Sequence, residues 1–292
     1  MNILNTGVKY VKNVGGYVIS SNSFKTINKV IIEKLSQINP NGKVLVFVDI
    51  ALKNHPIIND LKNIYKVVII NSIDEPTTSS VNSLMKKLKK VFLKNPSIIV
   101  GIGGGTTLDT AKACSNLFTN KGLAEDYQGW DLVKKPGVYK IAVPTISGTG
   151  AEASRTCVLT NKFNGLKLGM NSDYTIYDYI IMDPEILTSV PNDQYFYTGM
   201  DAYIHCMESI EGMYRNPVGD AFSKITLELC RDVFLSNDMK SLKNREKLMV
   251  ASYLGGCSIA SSYVGVIHPL SAALSVVLGY HHCIANCIVM NS

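Results

Sequence analysis

Ile98-Ile99-Val100-Gly101-Ile102-Gly103-Gly104-Gly105-Thr106-Thr107-Leu108-Asp109-Thr110-Ala111-Lys112 joins an apolar, β-branched run to three consecutive glycines and then to a segment with helical periodicity. A strand that ends in glycines and restarts as a helix leaves backbone N–H groups free at the helix N-terminus. The helix dipole and the missing side chains then let a pyrophosphate approach closely. The same residues also suit a tight strand-to-helix turn in which glycine serves packing, and the stretch alone supports both readings equally. It is neither the G-x-G-x-x-G dinucleotide fingerprint nor a P-loop, which needs Gly-Lys-Ser/Thr after four intervening residues.

Working outward, the first half alternates short β-branched runs with longer amphipathic stretches, the signature of βαβ units on a parallel sheet. Val44–Val48, Val67–Ile70, Ile98–Gly101 and Ile141–Val143 are expected strands, and Ser23–Gln37, Val81–Leu93 and Thr107–Leu117 expected helices. After about Asp183 strand-like runs nearly vanish, and Thr198–Glu211, Pro217–Phe234, Lys243–Ser262 and His268–Val277 read as helices. Asp183-Pro184 fits a boundary, because proline begins helices well and restricts the residue before it. The expectation is an N-terminal α/β domain (1–183) with a Rossmann-like parallel sheet, then an all-α C-terminal domain (184–292). Chemistry is expected in the cleft between them.

The bulk numbers agree with two globular domains: 292 residues, 46% hydrophobic and 18% charged. The formal charge of +6 is partly local, as in Lys86-Lys87 and Lys89-Lys90. Their helical spacing reads as a solvated helix face, and a nucleic-acid partner is not expected. Seven cysteines, an odd number lying mostly in apolar segments, argue against a disulfide framework. Met1 to Lys12 lacks the apolar core of a signal peptide, and no apolar run approaches the length of a membrane span. A soluble cytoplasmic protein with no membrane partner is the expectation.

Two further stretches carry chemistry. Pro144-Thr145-Ile146-Ser147-Gly148-Thr149-Gly150-Ala151-Glu152 follows an expected strand and again packs small and hydroxyl residues together. Met200-Asp201-Ala202-Tyr203-Ile204-His205 sets a carboxylate and an imidazole four residues apart, on one helix face, a frequent way to supply two metal ligands. Caps and satisfied core histidines produce the same spacing. Of the five histidines, however, His205, His268, His281 and His282 all lie in the helical half.

The three stretches together resemble the iron-containing (group III) alcohol dehydrogenase family, whose motifs are G-G-G-S/T-x-x-D-x-A-K, P-T-x-x-G-T-G-S/A-E and M-D-A-x-x-H. The family's last two histidines follow at gaps matched here by the 63 residues from His205 to His268 and the 14 from His268 to His282. The resemblance implies the dehydroquinate synthase-like fold of that family and a homodimer. It implies Asp201, His205, His268 and His282 as ligands of a divalent ion, His282 being preferred to His281; Fe(II), Zn(II) and Mn(II) all suit these donors. By the same resemblance Gly103, Gly104, Gly105 and Thr106 hold the NAD(P) pyrophosphate, with Asp109 as the motif's aspartate. Thr145, Ser147 and Thr149 hydrogen-bond the cofactor, and Lys167 contacts it. Asp49 stands where the family often keeps an acid for the adenosine ribose, which favours NAD over NADP; capping of the next helix explains an Asp there equally well. The implied reaction oxidises a primary alcohol to an aldehyde: the ion polarises the hydroxyl and the nicotinamide takes the hydride.

Departures narrow this further. Many members carry a proton-relaying histidine where this chain has Ala272; His281 is the candidate substitute, against a satisfied structural histidine as the plainer alternative. Cys283 replaces the usual glycine after the last ligand. Family members usually continue for several helices beyond that histidine, so the chain is read as C-terminally truncated or naturally short. Ala151–Thr156, Asn171–Tyr174, Asp193–Asp201 and Leu278–His282 resemble the branch that oxidises the C8 hydroxyl of 3-deoxy-D-manno-octulosonate (Kdo) on the route to 8-amino-Kdo and lipopolysaccharide sugars. In that reading Arg155 meets the substrate carboxylate, against a structural salt bridge as the plain alternative. The competing expectations are a generic NAD-dependent alcohol or diol dehydrogenase and a truncated member that binds nucleotide or metal without turnover.

Overall fold

The computed structural model describes residues Val11–Asn291; most of the Met1–Lys12 segment read for a targeting signal lies outside them. Its elements are β1 (Tyr17–Ile19), α1 (Ile27–Ile38), β2 (Val44–Asp49), α2 (Pro56–Ile64), β3 (Lys66–Ile70), α3 (Thr78–Val91), β4 (Ile98–Gly103), α4 (Gly105–Thr119), β5 (Gly129–Trp130), β6 (Tyr139–Pro144), β7 (Thr156–Asn161), β8 (Leu166–Asn171) and β9 (Tyr179–Met182). Five helices follow: α5 (Asn192–Glu211), α6 (Pro217–Phe234), α7 (Leu242–Ser262), α8 (Ile267–Leu278) and α9 (His282–Met290). The chain divides into two compact units, one formed by Val14–Thr145 with Arg155–Asp183, the other by Ile146–Ser154 with the residues from Pro184 onward.

The first unit has the α/β class expected of the N-terminal half, with Ile146–Ser154 falling in the other unit. Its main sheet has the order β1-β9-β6-β4-β2-β3, and every pairing in it is parallel. Strands β2 and β4 are buried along their whole length, so both faces are covered and the runs read as unbroken apolar sequence rather than as alternation. Leu45, Phe47, Ile99, Ala111 and Leu117 belong to one core cluster that packs α3 and α4 onto the sheet. Helix starts follow local chemistry: Thr77 and Ser80 form a capping box on α3, and His55 caps α2 ahead of Pro56. A second sheet of β5, β8 and β7 was not foreseen, because two of its strands are short or half-exposed and lack a clean alternation.

The second unit is helical, as expected. Pro217–Phe234 is reproduced end to end, with the Asn216 side chain accepting from Val218 N–H and Gly219 N–H. Helices α5, α6 and α7 pack on one another, as do α8 with α9 and α5 with α9. Where α5 meets α6 the chain needs Gly199, whose Cβ would lie 2.8 Å from Phe234 Cζ. The Ile146–Ser154 loop is fixed on the same unit by two glycines. A Cβ at Gly148 would fall 1.5 Å from the Thr198 carbonyl oxygen, and one at Gly150 would fall 2.6 Å from Gly256 Cα. Among the described residues no single helix is long and apolar enough to cross a membrane.

Candidate metal centre and nucleotide loop

Helix α5 carries Asp201 and His205 one turn apart on its buried side, 1% and 4% exposed. His268 comes from the first turn of α8, and His282 from the first residue of α9. One donor atom each from Asp201, His205 and His268 lies within 4.8 Å of the other two. Donors sharing one tetrahedral ion at bonds of about 2.1 Å stand about 3.4 Å apart. Here His268 Nε2 is 3.4 Å from Asp201 Oδ1 and His205 Nε2 is 4.0 Å from it. The His205 and His268 rings stack at 4.5 Å, and the His282 ring centre lies 5.3 Å from that of His268. One carboxylate and two imidazoles at this spacing, with a third imidazole alongside, are a donor set that fits a divalent ion.

The electrostatics are those of a compact charge cluster. Burial works against the Asp201 carboxylate, yet the charge of His205, the hydrogen bond from His268 and the charges of His282 and His268 outweigh it and hold the carboxyl well below the usual range. Burial dominates at His205 and lowers its imidazole to about 4, against the pull of Asp201. Burial also opposes the charged form of His268, but hydrogen bonds with Asp201 and Glu208 prevail and raise it to about 9.

Three neighbours were missed in the sequence. Asn286 Nδ2 lies 2.6 Å from Asp201 Oδ1, 3.2 Å from His268 Nε2 and 3.3 Å from His282 Nε2, so one carboxamide links three of the four expected ligands. Cys283, which stands in place of the usual glycine, is buried and places its Sγ 3.8 Å from Asp201 Oδ2. Glu208 receives His268 Nδ1. A spacing signal existed for two of them: Glu208 is two turns beyond Asp201 on α5, and Asn286 one turn beyond His282 on α9. His281 stands exposed at the N-cap of α9 without a side-chain capping bond, outside the cluster. Ala272 lies on α8 one turn after His268.

In the α/β unit β4 ends at Gly103, Gly104 is the N-cap of α4 with no side-chain capping bond, and Gly105 opens the helix. A Cβ at Gly103 would meet Thr107 at 2.7 Å and Asp49 Cβ at 2.9 Å, so packing alone requires that glycine. Thr106 lies in the first turn of α4, partly exposed. Asp49 closes β2; its Oδ1 accepts from Ala51 N–H and Ser72 Oγ, the capping geometry weighed from sequence, while Oδ2 enters neither bond. Thr145 follows β6 and donates its N–H to Gly103 O at 3.1 Å. Ser147 and Thr149 belong to the other unit, where Ser147 Oγ is buried with no hydrogen-bond partner among the described residues and Thr149 Oγ1 accepts from Ala151 N–H.

Three residues expected at a ligand are engaged within the α/β unit itself. Asp109 Oδ2 accepts from Val158 N–H at 2.9 Å and ties α4 to β7. Burial raises its carboxyl to about 6, against the lowering charge of Lys112. Lys167 is paired with Glu75 at 2.7 Å. Arg155 is paired with Asp131 at 2.7 Å and Asp173 at 3.2 Å, its side chain 7% exposed, so the guanidinium is already neutralised by two carboxylates. That is the structural salt bridge set against a substrate role in the sequence.

A parallel-sheet α/β unit with a glycine loop opening a helix, together with a helical unit that gathers an aspartate and histidines at metal spacing, defines a two-part class of protein. The chain belongs to the iron-containing alcohol dehydrogenase family: the family model described as iron-containing alcohol dehydrogenase matches residues 23–184, and that of the family's C-terminal part matches 195–292. It is 34% identical over 206 residues to a sulfoacetaldehyde reductase of Bilophila wadsworthia, covering 69% of this chain and 52% of that protein. It is 31% identical to an NAD-dependent methanol dehydrogenase of Bacillus methanolicus, covering 68% and 52%. The chain thus spans about half the length of these relatives. Among solved structures, a 1,3-propanediol oxidoreductase superposes with a TM-score of 0.84 at 23% identity, covering 96% of this chain and 74% of that one. The sulfoacetaldehyde reductase of Bifidobacterium kashiwanohense in complex with NAD+ superposes with a TM-score of 0.81 at 22% identity, covering 97% and 75%. These likenesses establish the fold.

Proposed function

We propose that this chain carries the metal and nicotinamide sites of an alcohol dehydrogenase that interconverts a primary alcohol and its aldehyde. The observation that carries the reading is the buried Asp201, His205 and His268 donor set at metal spacing, with His282 beside it. A divalent ion bound there supplies Lewis acidity toward an alcohol oxygen, with NAD as hydride acceptor. The chain's own residues supply position: Asp201 and His205 are held rigidly on one helix, and Asn286 ties Asp201 to His268 and His282. Gly104 and the uncapped start of α4 offer backbone N–H groups to the cofactor's phosphates, and Asp49 offers Oδ2 to a ribose hydroxyl. Relatives named for NAD+ and for NAD-dependent methanol oxidation support the cofactor.

For the substrate we propose a small anionic alcohol or aldehyde, with the C8 hydroxyl of Kdo as the specific candidate. The four stretches quoted above support Kdo, and a relative named for sulfoacetaldehyde, itself an anion, supports the class. Arg155, the residue read against the substrate carboxylate, is paired with Asp131 and Asp173, which supports a structural role for it. The test is turnover by the purified full-length protein loaded with Fe(II) or Zn(II), with NAD or NADH, on Kdo, sulfoacetaldehyde, 1,3-propanediol and methanol. Nicotinamide-linked turnover with the highest kcat/KM on an anion is the expected result. Highest kcat/KM on a neutral alcohol returns the function to a generic dehydrogenase, and metal uptake without turnover on any of them leaves a binding protein.

A further inference from the structure

We propose that Glu208 is a positioning residue of the metal centre, holding the proton of His268 on Nδ1 so that Nε2 faces the ion. The inference rests on the metal-centre reading above.

Glu208 is 4% exposed on α5, the helix that also supplies Asp201 and His205. Its two carboxylate oxygens do different work. Oε1 accepts from the backbone N–H groups of Ile267 at 2.6 Å and His268 at 3.2 Å, so it caps the start of α8, which has no side-chain cap of its own. Oε2 lies against Nδ1 of the His268 ring. An ionised carboxylate can only accept, so the ring nitrogen facing it must carry a proton. When an ion displaces the second ring proton, the one held on Nδ1 leaves the lone pair on Nε2, the atom 3.4 Å from Asp201 Oδ1. Gly265 is part of the fit: a Cβ there would lie 3.3 Å from Glu208 Cβ and Oε1, crowding the carboxylate against the ring. A buried carboxylate behind a ligating imidazole fixes tautomer and ring orientation together, and its loss typically weakens metal binding 10–100-fold.

Glu208→Gln separates this role from capping. The glutamine amide oxygen can keep both backbone N–H groups, whereas the amide nitrogen facing Nδ1 can only donate. The ring proton is then driven onto Nε2, the atom that should bind the ion. We expect Glu208→Gln to bind Zn(II) about 10–100-fold more weakly in chelator competition, while its metal-free form, which keeps the cap of α8, unfolds thermally above that of Glu208→Ala. Glu208→Ala, which also removes the cap, should lose both. Independently of any variant, 15N spectra of the Zn(II)-loaded parent protein should show His268 protonated at Nδ1. Parent-like Zn(II) affinity in Glu208→Gln, or a His268 protonated at Nε2 in the loaded protein, overturns the assignment. A parent protein that takes up no Zn(II) overturns the metal-centre reading instead, and this inference with it.

Discussion

Gly148→Ala tests whether the loop after β6 is built onto the helical unit by geometry alone. Gly148 has φ of +141°, and an added Cβ would sit 1.5 Å from the Thr198 carbonyl oxygen and 2.3 Å from the Thr198 carbon, both backbone atoms near the start of α5. Ordinary contact begins at 3.4 Å, so the separation must grow by 3.4 − 1.5, or 1.9 Å. Helix backbone cannot give that much, so the loop must lift, against the Gly150 N–H and Glu152 bonds to Ser252 Oγ. A non-glycine residue in this conformation costs about 1–3 kcal/mol, and forcing a methyl into a filled site about 1–3 kcal/mol more. The sum, roughly 2–6 kcal/mol, is a large fraction of the 5–15 kcal/mol typical of a whole protein. Urea unfolding should show a lower midpoint at unchanged slope. Gly165→Ala is the control: its φ is +71° with nothing within 4 Å, so only the conformational cost, about 1–2 kcal/mol, should appear. A loss under about 0.5 kcal/mol in Gly148→Ala, the range of inert surface changes, would refute the reasoning.

His268→Ala should empty the site of Zn(II) or Fe(II), measured by elemental analysis; full metal content would remove His268 from the ligand set. Gly104→Val should abolish NAD(H) binding in fluorescence titration and leave metal content near normal, because Gly104 has φ of −83° and a side chain there is conformationally allowed. Unchanged affinity would make the loop purely structural. Arg155→Ala should lower stability and reduce activity on anionic and neutral substrates alike, since its partners are Asp131 and Asp173; a selective loss on the anion would restore its substrate role. Asp109 titrates near 6 in the folded protein instead of its ordinary 3.8, so the folded state binds its proton more tightly than the unfolded chain. That contribution is present at low pH and is lost as pH rises from 3.8 to about 6, a decline Asp109→Asn should flatten in denaturation midpoints across that window.

Much of the α/β fold was legible because its buried strands announce themselves. Val44–Asp49 and Ile98–Gly103 are covered on both faces, so burial and sequence agree at every position. The smaller sheet was hidden for the opposite reason: Leu166–Asn171 is half-exposed and Gly129–Trp130 has only two residues, and such strands exist through their partners rather than through their own pattern. Helix α9 was missed because it is short, with only nine residues, although His282 opens it. The placement of Asp201 and His205 was readable from a four-residue spacing, which a helix converts directly into a shared face.

Residues that act behind a ligand leave a weaker trace. Glu208 follows His205 by three positions, a spacing as common among surface glutamates as among functional ones, and only the return of the chain at Ile267 and His268 gives its carboxylate something to hold. Arg155 and Lys167 show the converse: a cation beside a motif looks unengaged in the sequence, and the fold supplies Asp131, Asp173 and Glu75 as its partners. Ligand spacing is a local property, set by one helix, whereas the charge state and accessibility of a side chain depend on segments distant in sequence. Sequence therefore reads the aspartate and histidine of α5 well and the electrostatic environment around them poorly. For that reason the substrate question turns on whether Arg155, held by Asp131 and Asp173 of its own unit, can also meet an anionic substrate.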